Sequence, residues 1–160
     1  MRIIEGARPA SGLKFAVVVS KYNDFVTDRL QKGALAALAA SGVRDEDITV
    51  IRVPGAFEIP TAARLAADTN EFDAVVCLGC LIRGATPHFE YISSAVAHGL
   101  TAAAGATGIP MAFGVLTTNS AEEALERAVD GPSNKGWEAA QAALEMALIA
   151  TALSASASTP

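Results

Sequence analysis

Cysteine, histidine, tryptophan and charge are all scarce in this chain. Only two cysteines and two histidines occur among 160 residues. That excludes a disulfide framework, and a four-ligand zinc site would need all four to converge. His88 and His98 stand about 15 Å apart if they share a helix, too far for one metal. Cys77 and Cys80 do form a C-x-x-C pair. They lie in an apolar run that reads as a strand, where an odd separation sends side chains to opposite faces. A redox pair instead belongs at a helix start, where its thiolate is stabilised. Ordinary core cysteines and no metal are expected.

Charged residues make up 18% of the chain, with a net charge of −5 and no basic run. This argues against nucleic acid or an anionic membrane as a partner. No uninterrupted apolar run reaches membrane-spanning length, because Glu138, Gln141 and Glu145 punctuate the C-terminal segment. The first residues lack a long apolar core, so no signal peptide and a cytoplasmic location are expected. Internal repeats and low-complexity linkers are also missing, and the length suits one domain. What is plentiful is apolar residues, 51% of the chain, giving a mean hydropathy of +0.34. That exceeds the needs of a lone domain and implies apolar surface buried between copies, hence a homo-oligomer.

Residues 13–20, 48–53, 74–82 and 111–116 are near-continuous apolar runs, as strands covered on both faces should be. Helical spacing follows each of them. The first helix is capped by the turn 21–24 and stopped at Gly42; the second runs from Ile59 to about Ala67. The third runs from Pro87 to about Gly105, and the fourth from a Ser120 cap to about Val129. Residues 131–134 break the chain before a last alanine-rich helix, from Lys135 to about Leu153. Alternating strands and helices with right-handed crossovers give a single three-layer α/β/α domain around a four-stranded parallel sheet, flavodoxin-like in plan. The domain spans 13–153. Residues 1–12 form a separate segment, with Arg2–Glu5 a candidate short strand, including one added to a neighbouring subunit. Residues 154–160 are expected to fray.

Parallel strands end on one side, and ligands bind beyond their carboxyl ends. Segments 20–23, 54–58, 80–88 and 113–119 gather there. The richest runs from Val75 to His88: an apolar strand, a turn opened by Gly84, then Thr86 and Pro87 suited to a helix start. Such a turn aims free N–H groups and a helix dipole at one spot, which favours a small anion such as phosphate. His88 stands beside it, where a general acid or base is useful. Tyr22, Phe57, Phe113 and Glu58 complete a site for a flat polar ring. Each has a plainer reading. The aromatics can plug the sheet end, Glu58 can favour a helix dipole, and Arg127 can pair with Glu123 four residues earlier. Arg83 and Lys135 are open either way. Residues 79–86 have phosphate-loop glycine spacing, but Ala85 holds the lysine position. No G-x-G-x-x-G follows the first strand, and the acidic cluster of a receiver domain is missing.

Several long motifs in one order resemble the lumazine synthase family: residues 53–60 (VPGAFEIP), 83–91 (RGATPHFEY), 113–118 (FGVLTT), 126–128 and 134–136. The resemblance extends from about residue 13 to 150. It implies condensation of 5-amino-6-(D-ribitylamino)uracil with 3,4-dihydroxy-2-butanone 4-phosphate, the penultimate step of riboflavin synthesis, without metal or organic cofactor. It further implies that Tyr22 lies against the pyrimidine and that Ala56, Phe57 and Glu58 hold the ribityl-uracil. By the same resemblance Cys80, Leu81 and Ile82 line the pocket floor and offer backbone groups to the uracil edge, Ala85 and Thr86 bind phosphate, and His88 relays protons. Phe113 and Arg127 are expected from a neighbouring subunit of a pentamer or an icosahedral shell of pentamers. The short stretch between Arg127 and Lys135 favours the shell, and riboflavin synthase is a candidate protein partner. Two positions depart from the family pattern: Cys80 replaces a threonine or similar residue, and Tyr22 a phenylalanine or tryptophan. The rival readings are a non-catalytic flavin- or lumazine-binding shell protein and a flavodoxin-like electron carrier.

Overall fold

A computed structural model describes residues 1–7 and 9–158. Among these, four strands alternate with five helices: β1 (Phe15–Ser20), α1 (Asp24–Ala40), β2 (Ile48–Val53), α2 (Ile59–Asp68), β3 (Ala74–Ile82), α3 (His88–Thr107), β4 (Met111–Thr118), α4 (Ala121–Glu126) and α5 (Lys135–Ala157). The strands form one parallel sheet in the order β2-β1-β3-β4. This is the three-layer α/β/α plan expected from the apolar runs.

Strand alternation divides the core in two. Val17, Val19, Val76, Leu78 and Cys80 face one layer with residues of α1, α4 and α5. Ala16, Val18, Val75 and Cys77 face the other with residues of α2 and α3. The two cysteines are therefore on opposite faces, both buried. All of β1, and β3 up to Cys80, is inaccessible to solvent.

The helix ends differ from the sequence expectation in instructive ways. Pro87, not Thr86, occupies the cap position of α3, and no side chain caps that helix. The Ser120 cap does form: its hydroxyl accepts from the Glu123 amide. Helix α4 stops at Glu126, short of Val129, and α5 continues to Ala157, past Leu153. Residues 154–157 thus continue α5. Ser156 Oγ bonds to the Ala152 carbonyl and accepts from Arg2 Nη2 at 2.7 Å, which holds the last helical turn. Arg8, Thr159 and Pro160, at the margins of the expected domain, lie outside the described residues.

Residues 2–5 form no strand within this chain. The segment passes along α5 instead of along either sheet edge: Gly6 approaches the Glu145 backbone so closely that a Cβ would lie 2.4 Å from its carbonyl oxygen. Helix α5 is long and apolar enough to cross a membrane by length and composition. Here it packs on α1 and the sheet, burying Ala139, Ala140, Ala143, Leu144, Ala147 and Leu148.

Candidate active site

The carboxyl ends of β1, β2 and β3 open into a cleft of about 750 Å³, within the usual range for small-ligand sites. Its walls come from the β1–α1 turn, the β2–α2 loop and the β3–α3 turn.

The first wall is fixed by backbone bonds. Lys21 N donates to the Val53 carbonyl at 2.8 Å and Tyr22 N to that of Pro54 at 3.1 Å. Asn23 adopts a left-handed conformation (φ 60°), which asparagine tolerates better than most residues. Its side chain does not cap α1 but donates to the Cys80 carbonyl at 2.9 Å. Asn23 thus ties the end of β1 to the end of β3, a role that only its αL tolerance hinted at. Tyr22 is left 72% exposed on this turn, and Phe57, across the cleft, 61%. Neither plugs the sheet end in a single chain.

Residues 56–58 make one 3-10 turn before α2. It buries Ala56 and leaves Phe57 and Glu58 outward, both lining the cleft. The Glu58 carboxylate makes no hydrogen bond or ion pair among the described residues and is free for a ligand. Leu81 and Ile82 line the cleft. The Cys80 side chain belongs to the opposite core, and its carbonyl, a backbone group of the kind expected here, accepts from Asn23. Burial pushes the Cys80 thiol up to about 11 and that of Cys77 to about 12, so neither is a nucleophile near neutral pH.

Residues 84–88 are all exposed. The N–H groups of Gly84, Ala85 and Thr86 have no acceptor among the described residues. Three unbonded donors just ahead of a 20-residue helix make this turn a candidate anion nest. Gly84, Thr86 and His88 line the cleft; Ala85 has no side chain in its wall. Glu58, His88 and the nest therefore share one cavity with two aromatic faces.

Phe113 and Arg127 do not. They line a second cleft, about 390 Å³, with Thr117, Thr118, Lys135 and Glu138. The two clefts have no lining residue in common. The Arg127–Glu123 ion pair of the plainer reading is not made. Glu123 closes the cap of α4, its carboxylate accepting from Asn119 N at 2.9 Å, and Arg127 Nη1 reaches only its backbone carbonyl. The Arg127 charge has no carboxylate partner among the described residues. Lys135 pairs with Glu138 at 2.7 Å, and Arg83 with Glu90.

Comparison with known proteins follows the same lines. Residues 12–151 match the model of the family described as 6,7-dimethyl-8-ribityllumazine synthase. A 6,7-dimethyl-8-ribityllumazine synthase of Syntrophus aciditrophicus (strain SB) is 54% identical over 144 residues, covering 90% of this chain and 94% of the relative. One from Desulfatibacillum aliphaticivorans is 48% identical over 149 residues, covering 93% and 96%. At such identity over nearly the full length of both relatives, with the cleft built at the carboxyl ends of the sheet, the chain belongs to the 6,7-dimethyl-8-ribityllumazine synthase family, a family of enzymes.

Proposed function

We propose that the protein condenses 5-amino-6-(D-ribitylamino)uracil with 3,4-dihydroxy-2-butanone 4-phosphate, giving 6,7-dimethyl-8-ribityllumazine, phosphate and water in the penultimate step of riboflavin biosynthesis. The observation that carries this reading is the single cleft in which Tyr22, Phe57, Glu58, His88 and an anion nest converge. The reaction needs a flat ring held beside a phosphate, with proton transfer between them.

The pyrimidine stacks on Tyr22, and the tyrosine hydroxyl leaves that face intact. Ala56, Phe57 and Glu58 hold the ribityl-uracil, with Glu58 accepting from its hydroxyls. Leu81 and Ile82 meet the uracil edge, and Cys80 acts through its backbone. Ala85 and Thr86 hold the phosphate. The substrate amine attacks the ketone and water leaves as the imine forms. Phosphate then departs as its C–O bond breaks and a neighbouring C–H proton is lost. The second nitrogen closes the ring with loss of a second water. His88 moves the protons of these steps. Orientation does most of the work, since the amine is already a nucleophile.

Phe113 and Arg127 complete the site from a neighbouring copy, with Arg127 on the phosphate. Their separate cleft and the unpaired Arg127 charge support this. The working unit is therefore a cytoplasmic homo-oligomer, a pentamer or a shell of pentamers, with riboflavin synthase as a candidate partner. On assembly the N-terminal segment (1–12) leaves α5 and adds a strand to a neighbour's sheet: Thr49, Val50 and Arg52 of edge strand β2 are exposed and unpaired on their outer side.

Product absorbance from the two purified substrates, corrected for their slow spontaneous reaction, tests the proposal. Wild type is expected to exceed background. His88→Ala should lower kcat by about 10²-fold, and Arg127→Ala should chiefly raise KM for the butanone phosphate. Binding of the pyrimidine without turnover would leave a ligand-binding protein rather than an enzyme.

A further inference from the structure

The anion turn has little to hold it. Its residues are exposed, their amides are unbonded, and no side chain caps α3 behind them. Yet the proposed function requires the turn to present these N–H groups to one phosphate. The residue that ties its two ends is Arg83, which lines neither cleft.

Arg83 makes four contacts in four directions. Its backbone N–H donates to the Thr118 carbonyl at 2.8 Å, fixing the entry to the turn against β4. Its Nε donates to Asn119 Oδ1 at 3.0 Å, and its Nη1 to the Glu90 carboxylate in the first turn of α3. Its guanidinium lies 4.6 Å from the Phe89 ring centre. A lone exposed ion pair contributes little. A planar fork shared between two acceptors and a ring is different, because one rigid group fixes several partners at once. The chain of bonds continues past Asn119. Its backbone N–H donates to the Glu123 carboxylate, and the Glu123 carbonyl accepts from Arg127.

We infer that Arg83 is a positioning residue: with Asn119 it braces the anion turn of one cleft against the β4–α4 junction that carries Arg127 of the other. This rests on the proposed function, which gives the turn its phosphate. Arg83 does not itself bind the anion, since its charge is spent on Glu90. Without the brace the amides must be ordered when the phosphate binds, which weakens binding and leaves the pyrimidine side untouched.

The test is the steady-state kinetics of the full-length protein. Arg83→Lys keeps the charge and loses the fork. It should raise KM for 3,4-dihydroxy-2-butanone 4-phosphate about tenfold, while kcat and KM for the pyrimidine stay within about twofold. The inhibition constant of inorganic phosphate should rise by the same factor. Asn119→Ala should act in the same direction, and Asn119→Asp, which keeps the acceptor, should recover the lower KM. The inference is overturned if Arg83→Lys and Asn119→Ala leave the phosphate KM unchanged. It is equally overturned if they lower kcat and raise both KM values together with no recovery in Asn119→Asp. A wild type that does not exceed the uncatalysed rate removes the proposed function and this inference with it.

Discussion

At the scale of single residues, burial decides chemistry. Cys77 and Cys80 look like a redox pair in the sequence, yet each sits in its own core, on opposite faces of β3. Burial alone pushes their thiols up from 9.0, to about 12 and about 11. At pH 8 both are neutral and shielded, so a thiol reagent should label neither in the native protein and both after denaturation. A raised thiol value also means that the folded state holds its protons more tightly than the unfolded one. That stability is fully present below pH 9 and is lost as pH rises through 11 to 12. The melting temperature should fall across that window, and Cys77→Ala should flatten the fall. The side faces of the cysteines were legible from strand parity. The bond from Asn23 to the Cys80 carbonyl was not, because it joins residues 57 apart in the chain. The plainer reading of Arg127 fails for a related reason: i,i+4 spacing puts Glu123 in reach, but cap geometry has already claimed its carboxylate.

At the scale of elements, β2 and β3 ran from the first to the last residue that their apolar runs marked; in β3 a strand buried on both faces as far as Cys80 has no polar interruption to blur it, whereas edge strand β2 keeps its bounds with Thr49, Val50 and Arg52 exposed. Helix ends were harder, because they depend on contacts far along the chain. Asn134 shows why. Within the sequence it is part of a Gly-Pro-Ser-Asn break. In the fold it is buried; its amide donates to the Arg29 and Val129 carbonyls, and its oxygen accepts from the amides of Gly136 and Trp137. It lies over Gly33 of α1, and Gly136 meets the Leu30 carbonyl so closely that a Cβ would stand 2.0 Å away. Helices α1 and α5 touch backbone to backbone here. Gly136→Ala must push them apart and should cost about 3 kcal/mol. Asn134→Ala should cost about 2 kcal/mol, through lost caps and two orphaned carbonyls. Urea denaturation of both variants checks the two values. If instead Gly136→Ala is neutral, the close approach is not a fixed part of the packing.

At the scale of the molecule, the apolar excess in the composition has a location. Tyr22, Phe57, Tyr91, Phe113 and Leu153 are large, apolar or aromatic, and more than half exposed or nearly so in one chain. Light scattering should return a multiple of 16.4 kDa. Composition made surplus surface legible, but which faces meet depends on shape, which no local pattern in the sequence records. A mixing experiment reads the shared site directly. Assayed at butanone phosphate well below KM, where each variant alone is nearly inactive, His88→Ala and Arg127→Ala chains should regain activity when dissociated and reassembled together. At equal mixing about one junction in four pairs an intact His88 with an intact Arg127. No recovery on mixing would place both residues in one chain's own site.

The separation of the two clefts has an arithmetical result. If every junction between copies makes one site, a single chain has none, and a row of n chains has one fewer than n. Only a closed ring has as many sites as chains. Activity per chain would then rise with assembly and jump when the last gap shuts, so dilution would silence the enzyme while every copy stayed folded.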